Sequence, residues 1–408
     1  MSLSGDNRGV VIRAPVPLET PSPGEVSLLR IRDDVPLASI VPSAWDRVAG
    51  AQPFVSHAWL SALDESGCAT AQTGWAPRFL TAWRGPALVG ALPLYAKSHS
   101  YGEYVFDWGW ANAYRHHGRR YYPKLVAAVP FTPVTGPRML AGDAAVRRAL
   151  LERAHAELAR GYSSLHLLFT DELQSAEAAA EGMTMRSGIQ FHWSNAGYRD
   201  FADFLAAMNH AKRSRIRQER ERVARAGIEF RRLEGRAIRA ADWAFFHDCY
   251  TRTYAAHGST PYLTLEFFER IAARLPQCVL LVVGYRGSQP LCAALDIHDT
   301  HTLWGRYWGT REFVPGLHFE ACYYQAIEFC IERAIMRFEG GAQGTHKLAR
   351  GLLAAPTRSL HTIADPAFAA AIAEFCAAER SEIAHAIDEL DASNPFRRAP
   401  GGATASRL

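Results

Sequence analysis

Four groups of residues in this chain combine acidic, basic and hydrogen-bonding types closely enough to act on a ligand. The first is Lys97, His99, Ser100, Glu103, Tyr104 and Asp107, which directly follows the apolar run ALVGALPLYA. A loop leaving a strand end can present such side chains to a cleft. There Glu103 would accept a proton and Lys97 would hold an acidic group. A hydrogen-bonded surface loop is the competing reading. The second group is Tyr121, Tyr122 and Lys124, followed by Phe131 and Thr132 in PFTPVTG. Its prolines lack a backbone donor, so this stretch is a loop. It precedes a predicted helix, where unpaired N–H groups attract anions.

The third group is Arg306, Tyr307 and Trp308, then His318, Glu320, Tyr323, Tyr324 and Gln325. His318 and Glu320 are candidate acid–base groups near a helix start. Glu320 and Tyr324 are four apart and share a face. A glutamate at that place is also favoured simply by the helix dipole. His318-x-Glu320 has no third ligand at a recognisable spacing, so no metal is expected. The fourth group is Glu339, Gln343, His346, Lys347 and Arg350 in EGGAQGTHKLAR. Its glycines let backbone approach a ligand closely, and Lys347 and Arg350 are candidate anion contacts. It is not a P-loop, because Lys347 follows Thr345-His346 and not a glycine. Gln190 and His192 of the QFHW strand either reach the same cleft or are buried as paired polar groups.

The elements that must position these groups are clearest in the second half. VLLVVGY (279–285), LCAALDI (291–297) and TLWGRYW (302–308) form an antiparallel meander with short connections. After Pro315-Gly316, apolar residues from Phe319 to Ala334 recur at helical spacing. IMRFE (335–339) is then a strand. The first half repeats the order more loosely. RFLTAW (78–83) and ALVGALPLYA (87–96) make a hairpin, and YVFDWGW (104–110) and KLVAAV (124–129) are further strands. A helix over 143–160 and the strand SLHLLF (164–169) follow. This is duplication of architecture without duplication of sequence. HAKRSRIRQERERVARAG (210–227) is a charged helix stopped by Gly227. Its arginines either contact phosphates or are solvated beside Glu219 and Glu221. The boundaries expected are a Pro-rich disordered tail (1–25), a first lobe (26–195), an Arg-rich interlobe segment (196–228), a second lobe (229–390) and a second tail (391–408).

Bulk properties limit the class. The 408 residues carry 45 Lys plus Arg against 41 Asp plus Glu, a net charge of +4, which does not by itself argue for nucleic acid. The seven cysteines include no CxxC pair and read as reduced thiols. No run approaches the length of a membrane span, so a cytoplasmic protein is expected. GxSxG, HExxH, GxGxxG and Walker A strings are absent, which leaves serine hydrolase, zincin, Rossmann and P-loop readings unsupported.

A meander, then a loop, a helix and a strand, is the order of the GNAT acetyltransferase core, which this half resembles. That resemblance implies an acyl-CoA held at the helix start, here near Arg311 and Gly316; the anion contacts Lys347 and Arg350 are the further candidates to hold it. The chain also resembles the FemAB-like predicted N-acyltransferases. SHAWLSALDESG (56–67), HSYGEYVFDWGWANAY (99–114), YYPKL, PFTPVTG, QFHW, GRYWG, LHFEACYYQ and EGGAQGTHK carry the likeness, over about 55–375. The resemblance implies an α/β fold of two tandem GNAT-like lobes, each a mostly antiparallel mixed sheet flanked by helices. It implies transfer of an acyl group, from acyl-CoA or another activated acyl carrier, to the primary amine of a small or peptidoglycan-precursor acceptor. A FemAB-like aminoacyl-tRNA-dependent transferase and a non-catalytic ligand-binding protein are the alternatives.

Overall fold

The computed structural model describes residues 28–342 and 344–397. The expected tail over 1–25, Gln343 and the last residues of the expected second tail lie outside them.

Among the described residues, fourteen strands form one large and one small sheet. In chain order they are β1 (Leu29–Arg32), β2 (Trp75–Pro77), β3 (Leu80–Arg84), β4 (Ala87–Leu92), β5 (Tyr95–Lys97), β6 (Lys124–Ala127) and β7 (Ser164–Leu167). Then come β8 (Thr184–Ser194), β9 (Ile228–Glu234), β10 (Val279–Arg286), β11 (Gln289–His298), β12 (Thr302–Thr310), β13 (Arg337–Ala342) and β14 (Leu353–Ile363). The small sheet is β1-β3-β4, and the large one runs β2-β5-β6-β7-β14-β8-β13-β12-β11-β10-β9.

Two βαβ units organise the large sheet. β6 and β7 are parallel and joined through the helix Ala144–Glu157. β12 and β13 are parallel and joined through a helix that opens at Leu317–Phe319, passes a π turn at Glu320–Tyr324 and continues over Gln325–Glu332. The strands that follow each unit are exchanged. β8, from the first half, pairs with β13 of the second; β14, from the second half, pairs with β7 of the first. β8 and β14 pair with each other at the centre. The chain is thus two GNAT-like lobes sharing one sheet.

Both faces of the second-lobe sheet are covered, which explains its unbroken apolar runs. Leu281, Val283, Leu295 and Trp304 enter one core, while Leu280, Val282, Ala294, Leu303 and Phe338 enter the other. The Arg-rich helix His210–Arg225 is capped by the Asn209 side chain and buries Ile216, Glu219 and Val223. No helix among the described residues is long and apolar enough to cross a membrane.

Two expected strands differ. The run 87–96 is broken at Pro93, which has no N–H to give a ladder. Its first part pairs with β3, and its second, β5, pairs with β2 and β6. Residues 104–110 are not a strand; Trp108–His116 is a helix that buries Trp110 and Tyr114, four apart. That spacing outweighs the alternation read across the aromatics. Residues 395–397, read as tail, meet the 207–209 segment, with Asn209 N donating to Pro395 O at 2.9 Å.

Candidate functional site

β12 and β13 pair only from Thr302–Trp304 to Arg337–Glu339. Beyond that point both strands bulge. On β12, Tyr307 faces Leu295 while Gly305 faces Asp296, so Arg306 is an extra residue. On β13 the register to β8 slips between Glu339 and Ala342, at Gly340-Gly341. Bulges bend strands and re-aim side chains. The strands part, and a cavity of about 310 Å³ opens between them.

Its walls are built from three directions. β11 and β12 give Asp296, Gly305, Arg306, Tyr307 and Trp308; the helix beginning at Leu317 gives His318, Cys322 and Tyr323. The glycine bend gives Gly340, Gly341, Ala342, His346 and Lys347, and the first lobe adds Tyr104 and Pro133. Lys347 braces the bend. Its Nζ donates to the Gly341 and Ala342 carbonyls at 2.8 and 3.1 Å. Burial brings its ammonium down to about 8. Burial, with His346, Lys347 and Arg350 nearby, pulls His318 down to about 4, so its imidazole is neutral near pH 7. Tyr323 OH lies 3.2 Å from His346 Nε2.

The first-lobe wall is fixed by polar contacts. Phe131 O accepts from Tyr307 OH at 2.9 Å and from Arg306 Nη2 at 3.2 Å. Gln190 Nε2 donates to Pro133 O at 2.7 Å, and His192 Nε2 stands 3.3 Å from Gln190 Oε1. His192 is also 4.0 Å from Glu339, which burial pushes up to about 7. Tyr104 and Phe131 both have positive φ, 60° and 59°, an uncommon backbone state for non-glycine residues. Thr132, which follows Phe131, is buried, and its hydroxyl has no hydrogen-bond partner.

The structure therefore gathers Tyr104, Arg306, Tyr307, Trp308, His318, His346 and Lys347 on one cavity. Phe131, Gln190, His192 and Glu339 support its wall. Other expected site residues stand elsewhere. Lys97, Glu103, Asp107 and Lys124 form a closed, buried network. Lys124 Nζ donates to Glu103 and Ser100 at 2.8 Å each and also to Asp107. Tyr122 OH meets Ser100 at 2.8 Å, and His99 Nδ1 is 3.4 Å from Lys97 Nζ. Lys97 packs on the Trp75 ring at 3.7 Å. Burial pushes Glu103 up to about 7 and Lys97 down to about 7.

Glu320 turns toward the Arg-rich helix. Its carboxylate takes Arg220 Nη2 at 3.0 Å and Nε at 3.1 Å, and Gln325 Nε2 at 2.9 Å. Tyr324 OH donates to Glu219, which also accepts Arg350 Nη2 at 2.7 Å. Arg350 lies 3.3 Å over the Phe319 ring. Arg311 pairs with Asp248 at 2.8 Å, and Gly316 caps the helix start in a left-handed conformation.

The acidic cavity residue that was not singled out from the sequence is Asp296. Asp296 is 1% exposed, lines the cavity, and its Oδ2 has no partner. The signal was present: a lone acid inside the apolar run LCAALDI costs free energy to bury and calls for a reason.

The chain is similar to several known proteins. No curated protein matches the chain. Among solved structures, FemX is 12% identical over 79% of this chain and 96% of its own, with a TM-score of 0.49. L-PGS from Bacillus licheniformis is 11% identical over 78% and 95%, at 0.48. A tandem GNAT protein from the clavulanic acid biosynthesis pathway is 11% identical over 83% and 99%, at 0.41. The FemAB-like family, described by peptidoglycan biosynthesis/recognition, matches residues 36–398. Over that span, which is most of its length, the chain belongs to the FemAB-like family.

Proposed function

We propose that the protein transfers an acyl group from an activated donor, acyl-CoA, to a primary amine, and that transfer takes place where β12 and β13 part. The carrying observation is the parting itself. Beyond Trp304, β12 has no β13 partner among the described residues. An unpaired strand edge in a buried cleft offers N–H and C=O groups to an extended, amide-bearing ligand. Arg306, whose Nε has no partner, and Lys347 supply positive charge for an oxygen that becomes anionic. Neutral His318 lies in the same wall.

The first lobe supports a single cleft. β6 and β7 stay together through Ala127–Leu167, and a further bridge joins Gly136 to Thr170. Buried Arg138 fills the region, donating to Leu168 O at 2.7 Å. The first lobe serves as the wall carrying Tyr104 and Pro133.

A specific observation favours aminoacyl-tRNA as the second donor reading. Arg311 and Arg350, expected on a CoA pyrophosphate, are engaged by Asp248 and Glu219. Arg217 and Arg222 of the Arg-rich helix are exposed instead. Calorimetric titration with acetyl-CoA and with charged tRNA separates the donors. Saturable CoA binding supports the first reading; tRNA binding that falls steeply with salt, without CoA binding, supports the second. Binding of neither contradicts both.

A further inference from the structure

We propose that Asp296 binds the acceptor amine and takes its proton during transfer; this rests on the acyl-transfer reading above. Glu103, Asp107 and Glu339 each leave one buried oxygen unpaired but have a cation beside the carboxyl, Lys124 or Arg337; a buried carboxyl with no such partner calls for a reason. Asp296 has none among the described residues: Oδ2 is without a partner while the residue lines the cavity. The site makes room for it. A Cβ on Gly305, the cross-strand neighbour of Asp296, would lie 3.4 Å from Oδ1 and 3.2 Å from Phe338. The bulge that removes Arg306 from register sits at this pair.

The surroundings fit a carboxyl that exchanges a proton with a cation brought from outside. From the helix, Cys322 and Cys330 face it, and both are thiols held neutral by burial. From β12 and the glycine bend come Arg306 and Lys347, and from the helix start His318. None of these offsets burial, which alone pushes the carboxyl well above its usual range. Burial in the empty cavity therefore favours the protonated carboxyl over the carboxylate.

An entering ammonium displaces that proton to solvent and pairs with the carboxylate. In the dry cleft, charge separation is disfavoured for both partners, so the proton passes readily from nitrogen to the Asp296 carboxylate. The freed nitrogen attacks the acyl carbon. A C–N bond forms, and the bond from that carbon to the donor's sulfur or oxygen breaks. Of the three ammonium protons, one stays on the amide nitrogen, one ends on the leaving sulfur or oxygen, and one remains on Asp296. This restores the protonated resting form.

The test uses the full chain and the isosteric Asp296→Asn variant, with thermal melts confirming folding. Methylammonium is titrated in buffers of different ionisation heat, and transfer to methylamine is followed with acetyl-CoA and with charged tRNA. The proposal expects proton release on binding by the wild type, none by Asp296→Asn, and a fall in kcat of about 100-fold with the donor KM unchanged. If the wild type transfers and Asp296→Asn stays within about threefold, Asp296 is not the base, although the acyl-transfer reading stands. If the wild type transfers nothing, that reading falls for these substrates. Proton release that depends on Asp296 then still supports the amine site, and its absence overturns it.

Discussion

The hydroxyl of Tyr307, on the second-lobe strand β12, donates to the carbonyl of Phe131, on the first-lobe loop, at 2.9 Å. This bond spans 176 positions and seals the loop 130–136 against the cavity, beside Arg306, which bonds the same oxygen. The cleft is thus a composite of both lobes although only one of them opens.

Removing this hydroxyl loosens the wall without touching the strands. Tyr307→Phe should cost about 1 kcal/mol of stability, the worth of a buried hydrogen bond. It should also raise the donor KM several-fold with a smaller change in kcat. Chemical denaturation and steady-state kinetics measure the two effects separately.

Glu320 is held by Arg220 and Gln325, away from the cavity. Glu320→Gln should leave the rate of transfer within a few-fold of wild type. Arg220→Ala should lower stability by about 2 kcal/mol, because it strands a buried carboxylate while losing a partly exposed cation. A large loss of kcat in Glu320→Gln, with the melting temperature unchanged, would return Glu320 to the chemistry.

Glu339 supplies a pH signature. Burial raises its carboxyl from an ordinary 4.5 to about 7 in the folded chain. Between these values the unfolded chain has lost the proton and the folded chain keeps it. Stability from this group therefore falls as pH rises through that window, and above 7 the full cost of a buried carboxylate persists. Glu339→Gln should match wild type in acid and melt higher than wild type above pH 7. Melting curves across the window check the sign.

Lys347 holds the glycine bend open through the Gly341 and Ala342 carbonyls. Lys347→Met leaves two part-buried acceptors without this donor, which should cost about 1 kcal/mol. It should also speed amide hydrogen exchange across 340–348. Exchange that is unchanged there would mean that the bend is held by its backbone alone.

Much of this frame was legible in the chain. The apolar runs of β10 and β11 and the stripe from Phe319 onward announce themselves by period. The glycines at 340 and 341 mark the place where backbone must bend. Less legible was anything set by distant pairing. Arg220 and Glu320 are 100 positions apart, so nothing local says that Glu320 faces a helix and not a cleft. The dense polar run from Lys97 to Asp107 looked like a site because local spacing cannot distinguish a cleft from a closed network around Lys124. Asp296 escaped for the opposite reason. It stands alone, and only the bulge at Arg306 and the parting of β13 turn a strand acid into a cavity wall.

The central claim is that acyl transfer occurs between β12 and β13. The direct measurement is mass-spectrometric detection of N-acylated amine formed by the full chain from acetyl-CoA or charged tRNA, compared with Ala342→Trp, which fills the cavity. The account predicts product with wild type and at least a 100-fold loss with Ala342→Trp, at an unchanged melting temperature. Equal product from both proteins would contradict it and move the chemistry out of this cleft.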